Sequence, residues 1–197
     1  NLFLAFVLLG LTIRIGKSLL NFYLDLEPWQ RNLGISGVLM AGPFLWFYGR
    51  LLLGKEKRFS KHEYWHLLPF ALFLLFCNYI PNGYGEFPNT SYLLAFSHLA
   101  VYLVLTIRLL VNYKSQAEKS AWAWYRNMVI GVAFIWIFYM GNFFGLIPYY
   151  IGGAIFFSFL LYAFSFLLLK RPAFTVEKYR NSSMDVSQSK KHMQEIR

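Results

Sequence analysis

The residues that could do chemistry in this chain are the few polar ones lying inside long apolar stretches. Arg14 and Lys17 interrupt the apolar run over residues 1–23, three positions apart. Ser97 and His98 are neighbours in the run over 91–112, Asn78 stands near the end of 64–81, and Asn142 lies in the run over 124–146. Charged and hydrogen-bonding groups within a bilayer are costly, so each starts as a functional expectation. Counting at ~1.5 Å per residue from the outer ends, Arg14 lies roughly 12 Å deep, Lys17 ~9 Å, Ser97 and His98 ~9–11 Å, and Asn142 ~6 Å. Together they suit a pocket open to the outside, shaped for a small or amphipathic ligand with an anionic group. The plainer alternative is that Lys17 snorkels to the headgroups, Arg14 meets carbonyls of a neighbouring helix and His98 satisfies a core hydrogen bond.

Other chemistries lack their residues. There is no Gly-x-Ser-x-Gly elbow, and no Asp or Glu within the apolar stretches to act as a base. Metal-ligand spacing and Gly-rich phosphate loops are absent from the sequence, so no cofactor is expected. A retinal-type Schiff base would need a lysine inside 150–169, where none occurs. The single cysteine, Cys77, leaves no internal disulfide. An enzyme is therefore not the expectation.

The elements that position these residues follow from composition. Charged residues make up 14% of the 197, against about 25% in soluble domains, while 57% are hydrophobic and 21% aromatic. So much apolar surface asks for lipid as its solvent. A helical crossing takes ~20 apolar residues, and the runs 1–23, 32–53, 64–81, 91–112, 124–146 and 150–169 meet that need. The expected fold is thus an all-α transmembrane bundle of about six helices. Asn127–Leu169 holds 43 residues without Asp, Glu, Lys or Arg, enough for two crossings. The break between them falls at Leu146-Ile147-Pro148-Tyr149-Tyr150, before Gly152-Gly153. Pro43 and Pro69 need not end their helices, since membrane helices tolerate proline. Residues 1–171 are expected to form the bundle and 172–197 a polar tail.

Charge sets the orientation. Of the 19 Lys and Arg, 16 fall in the connections 50–63 and 108–126 and in the tail from 170. The intervening connections hold only Arg31. The basic side is cytoplasmic by the positive-inside rule, with both ends of the chain inside. The net charge of +10 is then a topology signal beside anionic lipid rather than a nucleic-acid footprint. Trp65, Trp122 and Trp124 would belt the inner face, and Trp29, Tyr149 and Tyr150 the outer one. Gly141 with Gly145, and Gly37 with Ala41, have the spacing of close helix contacts, within one chain or in a homodimer. Beginning at Asn1 on an apolar run, with no basic segment before it, the chain reads as a fragment rather than as a signal peptide.

Gly42-Pro43-Phe44-Leu45-Trp46-Phe47-Tyr48-Gly49-Arg50 precedes a basic connection and then His66-Leu67-Leu68-Pro69-Phe70. This resembles the membrane half of AraC-family transcription regulators of the Bacteroidetes type. Lys178-Tyr179-Arg180-Asn181-Ser182 is similar to the linker of that family. The resemblance singles out Gly42, Pro43, Tyr48, His66, Pro69 and Phe70. It implies a seven-helix sensor in the bacterial inner (plasma) membrane, here lacking its first helix. The tail would lead to a cytoplasmic helix-turn-helix domain that lies beyond this chain, and DNA would be a partner only through that domain. Two other expectations stand beside it: a small-molecule or lipid transporter or binding protein, and the sensor of a kinase or other regulator.

Overall fold

Pro28 begins the second helix at a position where its missing N–H costs nothing, and Gln30 Oε1 accepts the Glu27 N–H at 2.8 Å to close that end. The connection between helices is therefore only residues 24–27, which makes α1 (Leu2–Tyr23) and α2 (Pro28–Leu53) antiparallel neighbours. Their contact is as close as backbones allow. A Cβ added to Gly10 would stand 2.5 Å from the Gly37 carbonyl oxygen, and one added to Gly37 would stand 2.5 Å from that of Gly10. The small-residue spacing at Gly37 thus serves packing within the chain.

The computed structural model describes residues 2–54, 61–82 and 88–147, together with Ser158, Phe159 and Tyr162. After α2 come a 3₁₀ segment (Lys61–Leu67), α3 (Leu68–Leu75), α4 (Pro88–Asn112) and α5 (Lys119–Phe143). No strand occurs among the described residues. Residues up to Ser158 form one compact unit; in the second, Phe159 and Tyr162 are helical and exposed. The expected sixth span and the polar tail otherwise lie outside the described residues, as do Tyr149 and Tyr150.

Among the described residues, four helices are long and apolar enough to cross a membrane: Leu2–Asn21, Pro28–Leu53, Thr90–Asn112 and Lys119–Phe143. The central one is α2, with 78% of its most apolar stretch buried against 39% in each of the other three. It runs unbroken through Pro43.

The expected helix over 64–81 is a correction: α3 is only eight residues long. Pro69 sits in the first turn of α3, where its ring nitrogen has no hydrogen for the preceding carbonyls, so the 3₁₀ winding ends there. Past Phe76 the chain continues as turns. The segment nevertheless travels the length of α2. Glu63 pairs with Arg50 near one end of that helix, and Asn82 bonds Asn32 near the other. The 18 residues between Asn32 and Arg50 correspond to about 27 Å of helix. A broken traverse thus replaces a continuous one, and Asn32 caps it. Its Nδ2 donates to the carbonyls of Cys77 and Ile80, both at 2.8 Å, and its Oδ1 accepts from Asn82 Nδ2 at 2.8 Å.

The aromatic belt also needs correcting. Trp29 and Trp65 are exposed, but Trp124 is buried at 6% and donates its indole N–H to Tyr48 Oη at 3.0 Å. It joins helices instead of marking an interface. Trp122 is half-buried and donates to the Leu110 carbonyl at 2.8 Å, which ties the start of α5 to the end of α4.

Candidate functional site

Besides the Asn32–Asn82 cap, two polar clusters lie between the helices among the described residues. The first surrounds Arg14, which is 1% exposed. Its guanidinium carbon lies 4.5 Å from the ring centre of Tyr139, 5.2 Å from Tyr92 and 5.4 Å from Phe96. The cation of α1 is thus enclosed by π-faces from α4 and α5, an arrangement worth about 2 kcal/mol or more per favourable face when desolvated. Ser18, one turn along α1, bonds Tyr139 Oη at 3.1 Å and donates to the Arg14 carbonyl at 3.2 Å. Tyr92 in turn donates to the Tyr139 carbonyl at 3.0 Å and stacks on Phe96 and Phe143. Every wall of the cage is therefore fixed by a second contact.

The second cluster centres on Tyr102, which is 5% exposed. His66 Nδ1 lies 2.6 Å from Tyr102 Oη, and the His98 ring packs 4.8 Å from the Tyr102 ring. Trp46 closes the site, 5.1 Å from His66 and 6.4 Å from Tyr102. Gly42 makes the space: a Cβ there would stand 3.1–3.2 Å from the Tyr102 side chain. Gly42 and His66, singled out by resemblance, and His98, singled out as an intramembrane polar residue, therefore meet around one tyrosine.

The remaining motif residues are structural neighbours of this site. Tyr48 accepts the Trp124 N–H on the α5 side of α2. Pro43 is buried within α2, Pro69 starts α3, and Phe70 is half-buried on α3.

The other expected pocket residues are not brought together with Arg14. Lys17 points away from it and lays its stem on α2, with Cγ 2.5 Å from where a Cβ of Gly34 would stand. Ser97 and Asn78 are exposed. Asn142 donates to the Ile147 carbonyl at 3.0 Å, closing the turn after α5. Residues that the sequence does not single out do much of the work: Ser18, Tyr92, Tyr102, Tyr139 and Asn32. Ser18 follows Arg14, and Tyr102 follows His98, by four positions, the spacing that places side chains on one helix face. With 14 tyrosines in the chain, that spacing alone does not distinguish Tyr102.

No family model, curated protein or solved structure matches this chain. What the fold defines is a class, a helical chain whose described residues include four helices long and apolar enough to cross a membrane, built around α2 and carrying a buried cation.

Proposed function

We propose that this chain is the membrane-embedded sensory module of a bacterial transcription regulator. It would sit in the inner membrane with its tail in the cytoplasm and pass a signal to a helix-turn-helix domain beyond Arg197. The observation that carries this reading is Arg14. A buried cation gripped by aromatic faces of α4 and α5 makes the position of α1 matter energetically to both. A ligand that favours one arrangement of these helices over another can bias the pair of states, which is all that signalling requires. The convergence of Gly42 and His66 on Tyr102 gives two of the family-like residues a shared place. The basic connections and tail support the inside orientation.

The test is the gene itself together with a reporter. Reading downstream of Arg197 is expected to reveal two in-frame helix-turn-helix units, and a stop codon or an unrelated domain there overturns the regulator reading. In the full-length protein, Arg14→Met is expected to change output from its own promoter at unchanged protein level. The chain 1–197 alone is expected not to bind that promoter.

A second reading, lipid or amphiphile handling, draws on a groove of about 360 Å³ between α1 and α2. Ile13, Leu20, Leu33 and Trp29 line it, its surface is almost wholly apolar, and Lys17 and Gln30 stand among the lining residues. Uptake or binding in liposomes that is lost in Lys17→Ala would favour that reading over sensing.

A further inference from the structure

The cluster around Tyr102 has the chemistry of a proton site. A neutral imidazole offers one donor and one acceptor, and a phenol one donor that can rotate. His66 Nδ1 and Tyr102 Oη share a single hydrogen at 2.6 Å. When His66 takes a proton, both of its nitrogens become donors, so Tyr102 Oη must accept and its own hydrogen must turn elsewhere. His98 packs on that same phenol, and its Nδ1 is shielded, with no hydrogen-bond partner among the described residues. Two cations on one phenol would repel, so the cluster has room for a single proton shared between two imidazoles.

A charged pair lies beyond the wall of the cluster. Trp46 touches His66 on one side and lies under the Arg50 guanidinium on the other, at 4.9 Å. Arg50 pairs with Glu63 at the end of α2 that leads into the basic connection, where both side chains keep partial exposure of 21% and 15%. We propose that His66, Tyr102 and His98 form a single-proton binding site near the end of α2 that carries Arg50.

The charged groups on the packed elements do not displace this assignment. On α2 and the 3₁₀ segment, Arg50 and Glu63 are paired with each other, and His62 is exposed. On α1, Arg14 is enclosed by Tyr92, Phe96 and Tyr139, and Lys17 lies on Gly34. Arg108 of α4 and Lys119 and Arg126 of α5 are exposed, and the buried titratable groups of α5 are the tyrosines Tyr125 and Tyr139. α3 has no titratable side chain.

Trp46 is a built-in reporter, because an imidazolium against an indole quenches its emission far more than a neutral imidazole does. Residues 1–197 in nanodiscs would be titrated beside a Trp46→Phe variant, whose difference isolates Trp46 from the other tryptophans. The expected signal is a one-proton quenching step as the pH falls, with a single midpoint. Tyr102→Phe and His98→Gln keep His66 and are each expected to move that midpoint by about half a unit or more. His62→Gln is expected to leave it in place. A flat Trp46 signal overturns the proposal. So does a midpoint that ignores both Tyr102→Phe and His98→Gln, or one that follows His62. This readout is blind to what lies beyond Arg197, so loss of the proton site and loss of the regulator reading are separate results.

Discussion

The guanidinium carbon of Arg14 lies 4.5 Å from the centre of the Tyr139 ring, and the Tyr139 hydroxyl returns to Ser18 on the helix that carries the arginine. The loop from α1 to α5 and back closes through side chains alone. Burying the guanidinium costs several kcal/mol of desolvation, which offsets the attraction of the aromatic faces, and a methionine of similar length carries neither term. Arg14→Met is accordingly expected to melt within about 1 kcal/mol of the parent, a few degrees at most. Arg14→Ala, which also opens a cavity, is expected to lose about 2–4 kcal/mol. Thermal melting in detergent, followed by size-exclusion chromatography, separates the two.

The glycines divide by what surrounds them. A Cβ on Gly49 would stand 2.1 Å from Tyr125 Cζ, and Tyr125 is fully buried with its hydroxyl bonded to the Leu45 carbonyl at 3.1 Å. That ring has no room to retreat, so Gly49→Ala is expected to cost about 1–3 kcal/mol or more, the range for overpacking. Gly37→Ala, which meets the Gly10 backbone, should cost a similar amount. Gly16 has nothing within 4 Å, and Gly16→Ala is expected to be neutral or to gain up to about 1 kcal/mol of helix propensity. Equal melting temperatures for Gly49→Ala and Gly16→Ala would contradict this packing.

Asn32 secures the broken traverse with three side-chain hydrogen bonds while itself 0% exposed. Asn32→Ala leaves two carbonyls and the Asn82 amide without that partner, at about 1–3 kcal/mol. The chain supplies its own probe in Cys77, its single cysteine, which is half-buried two residues after α3. Maleimide labelling of Cys77 should speed up in Asn32→Ala by about tenfold or more, the factor matching ~1.4 kcal/mol of local opening. Unchanged labelling would mean that Asn32 does not hold this turn.

The traverse also makes a topological prediction. In a Cys77→Ser background, Leu24→Cys and Pro81→Cys should react with a membrane-impermeant maleimide from the same side of intact cells. Ser115→Cys, in the basic connection after α4, should react only after permeabilisation. All three positions are exposed, so labelling reports sidedness rather than burial. Opposite sides for residues 24 and 81 would mean that the segment along α2 returns instead of crossing.

Composition and the spacing of charges were sufficient to find, with nearly the right ends, the four helices among the described residues that are long and apolar enough to cross a membrane, because long apolar runs and their basic borders are local properties. They also pointed to Arg14 and His98 as residues worth explaining, since a charge or an imidazole in an apolar run is conspicuous wherever it points. Direction was another matter. Arg14 and Lys17 stand three positions apart, yet one is enclosed between α4 and α5 while the other lies on α2. In a soluble helix, the polar face says which way is out; here large apolar side chains lie both between the helices and on their exposed faces, so sequence periodicity does not separate them. Only packing decided that Gly42 admits Tyr102, that Trp124 faces Tyr48 rather than an interface, and that Pro69 divides the third traverse. Apolar helices are written residue by residue, but where their few polar groups meet is set by which backbones can approach closely enough.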